Sequence, residues 1–110
     1  MSGTMTADTA RLQRWQAIVR ASHELLELAR RAEWDAVAEG QRQRQQEIEA
    51  FFAEPVPEGI AGEVERGIRE ILEADREVMA LGGTARDELG EAVQTLGQRR
   101  KAQSAYTQSY

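Results

Sequence analysis

The chain contains no cysteine among its 110 residues. Disulfides and thiolate zinc sites are therefore excluded, and the composition suits a reducing compartment. It has a single histidine, His23. A bundle-type di-iron centre needs a Glu-x-x-His element on each of two helices, so that chemistry is excluded too. Its two prolines, Pro55 and Pro57, are almost adjacent, which leaves long stretches on either side free to stay helical. Aromatics are only 5% of the chain and sustained β-branched runs are absent, so strands are not expected. No apolar stretch approaches the roughly 20 residues of a membrane span. The N-terminal Met1-Ser2-Gly3-Thr4-Met5 lacks the basic start and apolar core of a signal peptide. These absences lead to the expectation of a cytoplasmic protein without membrane insertion. A net charge of -5 provides no general basic face, so no direct nucleic-acid partner is expected.

What the chain does have is Ala, Glu, Arg, Gln and Leu, all strong helix formers. A chain of this length can bury one small core. The expected fold is all-α: an antiparallel helical hairpin packed on a long third helix, with a short C-terminal helix or a frayed end after it. Residues 1–110 read as a single helical domain, frayed over 1–7 and 107–110.

Helix one opens near Thr6 or Asp8, either of which is a capping residue. Its apolar positions Leu12, Trp15, Ile18, Val19, Leu25, Leu26 and Ala29 recur at three- and four-residue spacing. That register cannot continue, because it would bury Glu33, Gly40 and Gln43. A new stripe starts at Trp34 and runs through Val37, Ala38, Gln41, Ile48, Phe51 and Phe52. The phase slip predicts a tight turn at Arg30–Glu33. The stretch Gln41–Gln46 is poor in apolar residues and is expected to be solvated or loosely packed. Pro55, Pro57 and Gly59 then end helix two.

Helix three carries the clearest pattern. Val64, Ile68, Ile71, Asp75, Val78, Gly82, Ala85, Leu89, Ala92 and Leu96 alternate steps of four and three, a heptad-type seam broadened by Leu72, Met79 and Val93. Gly82-Gly83 lies inside it. Each glycine costs about 1 kcal/mol in a helix interior, but the phase survives the pair. One helix from about Ile60 to about Arg99 is therefore predicted, roughly 60 Å long at 1.5 Å per residue. The hairpin cannot cover that length. The excess seam must meet a returning C-terminal segment, a second subunit as in a homodimer, or a client protein. Beyond it, Ala102 to Thr107 reads as a short fourth helix or a frayed end.

Chemistry is sparse. Ser22 adjoins His23 in sequence, but neighbouring helical residues point in different directions, so no nucleophile–base pair forms. His23 and Glu27, at i and i+4, could share an ion, but nothing else in the chain supplies a second histidine. Gly82-Gly83 lacks the spacing and lysine of a phosphate loop. The chain reads as a binding protein and not an enzyme, with no catalytic residue, metal site or cofactor.

Several segments resemble the FliT family of flagellar export chaperones. They are Arg14-Trp15-Gln16-Ala17-Ile18, Ser22, Leu25-Leu26-Glu27-Leu28-Ala29, Glu33-Trp34-Asp35, Gly59-Ile60, Asp87-Glu88-Leu89 and Ala105-Tyr106. The resemblance spans about Leu12 to Tyr106. It implies a cytoplasmic chaperone in bacterial flagellum biogenesis and type III protein export. The implied client is the filament-cap protein FliD, held by its C-terminal region, and the implied delivery point is the export gate FlhA. In some relatives the regulator FlhDC is a further partner. The family's C-terminal tyrosine is associated with the gate, which carries over to Tyr106. The client is expected to lie as an amphipathic helix in a groove bordered by helices two and three. The candidate groove floor is Ile68, Ile71, Leu72, Met79 and Leu89. The alternative is a structural helical bundle or coiled-coil dimerisation protein with no export client.

Overall fold

The computed structural model describes residues 6–108, with side chains as far as Gln98. The described residues form three α-helices and one short 3-10 turn, in the order α1 Ala7–Arg30, α2 Trp34–Phe52, the turn Glu58–Ile60 and α3 Ala61–Gln108. The all-α expectation holds. Thr6 caps α1, its hydroxyl accepting from the Thr9 amide at 3.1 Å. That satisfies one of the donors a helix start leaves unpaired.

The turn between α1 and α2 falls where the phase slip put it, and Ala32 explains how a turn that contains no glycine is made. Ala32 has φ 58, the one positive φ among the described residues. The Glu33 amide donates to the Leu28 carbonyl and the Ala32 amide to Ala29, both at 3.0 Å. This is a left-handed helix termination, a position that favours glycine. At the other end Arg11 holds the end of α2. Its guanidinium donates to the Phe51 carbonyl at 2.9 Å and to Pro55 at 3.1 Å, and lies 4.4 Å over the Phe51 ring.

α2 runs back along α1, and α3 returns in the direction of α1: Trp15 meets Gly67, while Arg30 further along α1 pairs with Glu77. α1 packs directly on both other helices. The α2 and α3 backbones are bridged by side chains only. Two clusters fill the interior. Trp15, Ile18, Phe51, Ile60, Val64 and Ile71 form one. Leu26, Ala29, Val37, Ala74 and Val78 form the other, nearer the turn.

α3 is one helix through Gly82-Gly83, as the unbroken phase predicts, and it extends past Arg99 to Gln108. The separate short C-terminal helix is not formed, because those residues continue α3. Its 48 residues give a rod of about 72 Å. The molecule measures 89 × 23 × 20 Å.

The seam read from the sequence needs a correction. The buried positions of α3 are Val64, Gly67, Ile71, Ala74 and Val78, not Ile68 and Asp75. Small residues sit at the interface because α1 comes so close. A Cβ on Gly67 would overlap Trp15 Nε1, and one on Gly40 of α2 would lie 2.5 Å from Leu25 Cδ2. Close helix packing needs small side chains at the contact, a rule that hydrophobic periodicity does not register. α2 is corrected in the same way. Ala38 and Gln41 are exposed, while Val37, Arg44 and Phe51 are buried.

Candidate protein-binding face

Once the buried seam is assigned, a second one becomes visible on α3. The large apolar side chains that described α3 leaves exposed are Ile68, Leu72, Met79, Leu89, Val93 and Leu96, from 39% to 73% exposed. With Asp75, Gly82 and Arg86 they complete the series 68, 72, 75, 79, 82, 86, 89, 93, 96. That series alternates steps of four and three, so it forms a stripe that winds about 80° around a straight α3 between Ile68 and Leu96. The stripe spans 28 residue steps, about 42 Å. Exposed apolar residues scattered singly need no explanation, whereas these fall into two groups, Ile68, Leu72 and Met79 and then Leu89, Val93 and Leu96, separated by Gly82 and Arg86, and such groups mark an interaction surface.

Asp75 fixes where this stripe points. Its carboxylate accepts two hydrogen bonds from Arg44 of α2, Nη1 to Oδ1 at 2.7 Å and Nη2 to Oδ2 at 3.0 Å. The Asp75 side of α3 therefore looks towards α2. Residues four and eight positions after Arg44 share its face of α2. They are Ile48, partly buried, and Phe52, 44% exposed. Phe51 is fully buried against Trp15, while Phe52 packs edge-on against both rings and stays open to solvent. The face between α2 and α3 thus combines Ile68, Leu72 and Met79 with Ile48 and Phe52. Past the turn, Leu89, Val93 and Leu96 continue it on α3 alone.

The five residues expected at a groove floor therefore divide. Ile68, Leu72, Met79 and Leu89 are exposed on the common stripe. Ile71 is 8% exposed and belongs to the core with Trp15 and Phe51. It sits one step round the helix from Leu72, on the side that α1 covers. Val93, Leu96 and Phe52 join the exposed set. Their periodicity is legible in the sequence, but not their exposure. Tyr106 falls near the end of α3, and its side chain lies outside the described residues.

The stretch Gln41–Gln46 holds the largest departure from expectation. Arg44 is 8% exposed and Ser22 of α1 is fully buried. The Ser22 hydroxyl accepts from Arg44 Nη1 at 2.9 Å and donates to the Ile18 carbonyl at 3.2 Å. Ser22, Arg44 and Asp75 thus join all three helices. A bidentate arginine–carboxylate pair is the strongest geometry available to such a bridge. No local sequence signal points to it, because Arg44 looks like any solvated helix charge.

The remaining charge is superficial. His23 lies 3.9 Å from Glu70 of α3, both half exposed, and is not paired with Glu27. A shallow groove lined by His23, Glu27, Arg30, Glu70, Glu73 and Glu77 runs between α1 and α3. Among the described residues no three His, Asp or Glu side chains converge as a metal site. On α2 the exposed Arg42 hydrogen-bonds Glu39 and holds its carboxyl below the usual range.

No described helix is long and apolar enough to cross a membrane. No solved structure matches the chain. A family model described as "Flagellar protein FliT" matches residues 12–108, nearly the whole length. The chain belongs to that family, and its role is flagellar.

Proposed function

We propose that this protein is a flagellar export chaperone, cytoplasmic and without enzymatic activity, that holds the C-terminal region of the filament-cap protein FliD. It keeps that segment from assembling prematurely and delivers it to the export gate FlhA. The observation that carries the reading is the second seam of α3, where Ile68, Leu72, Met79, Leu89, Val93 and Leu96 are all exposed. An amphipathic client helix laid along it would cover its own apolar face and the chaperone's together. Met79 suits such a surface, since its unbranched side chain adapts to irregular partners. Calorimetric titration with a FliD C-terminal peptide tests the reading. Binding at micromolar strength supports it, and silence at concentrations on the order of tens of micromolar sinks it.

Docking at the gate is proposed for Tyr106. Tyr106→Ala should weaken FlhA binding of the chaperone–client complex and leave client binding intact. A loss of helical content instead would make Tyr106 a packing residue.

The unaccompanied distal part of α3 also favours a second reading, a helical dimerisation protein in which a second copy covers the seam. Sedimentation velocity separates the two. A tight dimer that does not bind the peptide favours self-association, and a species that takes up the peptide favours the chaperone.

A further inference from the structure

The exposed seam of α3 is balanced about its own centre. Gly82 is the fifth of its nine positions, 14 residue steps from Ile68 and 14 from Leu96, so each half is about 21 Å long. The halves differ in what lies beside them. α1 packs on both other helices, while the α2 and α3 backbones do not meet. That is three corners of a square bundle, with α2 and α3 on the diagonal. The fourth corner lies opposite α1, along Ile68, Leu72 and Met79 of α3 and Ile48 and Phe52 of α2. It has room for one helix until the hairpin ends level with Gly82. The distal half of α3 is a helix of matching length with an apolar stripe of its own. It cannot reach the corner in its own molecule, because α3 runs unbroken through Gly82-Gly83. The distal half of a second copy can.

We infer that two copies of this chain pair through α3, antiparallel about Gly82, each laying its distal half in the other's α2–α3 groove. In that alignment Ile68 meets Leu96 of the second copy, Leu72 meets Val93, Asp75 meets Leu89, Met79 meets Arg86, and Gly82 meets Gly82 at the two-fold axis. All nine positions find a partner. A shift by one heptad leaves two of the nine uncovered in each copy, and in one direction it sets Arg86 on Arg86. The stripe's slow winding around a straight helix is what two helices take up by supercoiling.

Charge selects the direction. The charged members of the seam are Asp75 and Arg86. A parallel pair in register would set each against its own like charge. The antiparallel pair puts Arg86 one layer from Asp75 of the second copy, about 4.5 Å along the axis and within reach of a guanidinium. Asp75 is held by Arg44, yet 29% of its side chain stays exposed and open to a second cation. A charged residue in a seam is the usual device for fixing alignment. Glycine allows the backbones to approach: beside the seam, Gly83, Gly90 and Gly97 recur every seven residues with nothing within 4 Å of a Cβ position. Each hairpin stays level with its own proximal half. Each end of the dimer is then a four-helix bundle of α1, α2, α3 and the second copy's distal α3. The inference concerns the chain's own surface and holds whatever the client is. A client laid on the same seam displaces the second copy.

The test uses the full-length protein alone, with no client present. Sedimentation velocity should show a monomer–dimer equilibrium with a Kd below about 200 µM. Leu72→Glu and Val93→Lys each set a charge against an apolar residue of the second copy, and each should raise the Kd at least about tenfold. Both positions are more than half exposed, so circular dichroism should not change. The double variant Leu72→Glu/Val93→Lys brings the opposite charges face to face and should dimerise more tightly than either single variant. Such rescue identifies the layer, because the two positions lie about 32 Å apart on one helix and cannot meet within a molecule. Spin labels fix the direction, since the chain has no cysteine of its own. Single labels at Glu91→Cys and Gln98→Cys should be separated between copies by about 27 and 48 Å along the axis. A Kd weaker than the stated limit, single variants without effect, a double variant no tighter than the singles, or equal separations at the two labels would overturn the inference. Should a charged variant fail to fold, the label separations decide alone.

Discussion

The two halves of α3 are built from similar residues and meet opposite fates. From Ala61 to about Ala85 the helix lies against the hairpin, and Val64, Gly67, Ile71, Ala74 and Val78 vanish into it. From Arg86 to Gln98 every described side chain is exposed, though Leu89, Val93 and Leu96 are as apolar as anything in the core. The difference lies in what stands opposite. The hairpin ends at Ala32–Glu33, level with Gly82, whose Cβ position lies 3.8 Å from Trp34. Beyond that point α3 has no neighbour among the described residues. An apolar stripe thus records a need for a partner without saying whether the partner is in the same chain. The proximal half has that need met on one side by α1 and keeps a second stripe open. The distal half has it unmet on every side.

Four substitutions probe this contrast. The largest effect is expected at Phe51, which is fully buried and in ring contact with Trp15. Phe51→Ala should cost about 3–5 kcal/mol in chemical denaturation, enough to unfold much of a small domain. Gly67→Val should follow at about 3 kcal/mol, because the added atoms run into Trp15 and Val19 and α1 must back away. A Gly67→Val protein of unchanged stability would mean that the close approach of α1 and α3 is not a real constraint. Ala32→Gly should act in the opposite direction. Relief of the left-handed backbone should stabilise the fold by about 1 kcal/mol, read as a higher denaturation midpoint. The smallest effect on stability is expected at Leu89, which is 65% exposed. Leu89→Ala should change unfolding by no more than about 0.5 kcal/mol. It should nonetheless weaken FliD-peptide binding roughly tenfold, the effect of truncating one apolar side chain at an interface. A Leu89→Ala variant with lowered stability and unchanged affinity would make the distal seam structural and dissolve the contrast.

The fold is legible in the sequence wherever one physical signal acts alone. The phase slip after Ala29 locates the turn, the two prolines locate the end of α2, and the unbroken phase through Gly82-Gly83 identifies one long helix. Legibility fails where two faces of one helix overlap. A seam drawn through Val64, Ile68, Ile71 and Asp75 mixes positions from the buried and exposed stripes. Both stripes are apolar and they lie one residue apart, so periodicity cannot separate them. Ile71 looks like a groove residue for that reason, and Gly67 escapes notice because a glycine has no hydropathy to count.

Sequence by itself determined the helical class, the turn after α1, the end of α2, the lack of thiol, paired-histidine and membrane-spanning chemistry, and the excess of apolar length on α3. These follow from local propensity and from composition, which need no neighbour to act. Only the tertiary structure decided which stripe of α3 is buried, that Arg44 and Ser22 lie inside and bridge to Asp75, and that Phe51 rather than Phe52 is enclosed. Those choices depend on how closely α1 approaches Gly67 and Gly40 and on which charges meet across helices. They are set by distances between segments far apart in the chain.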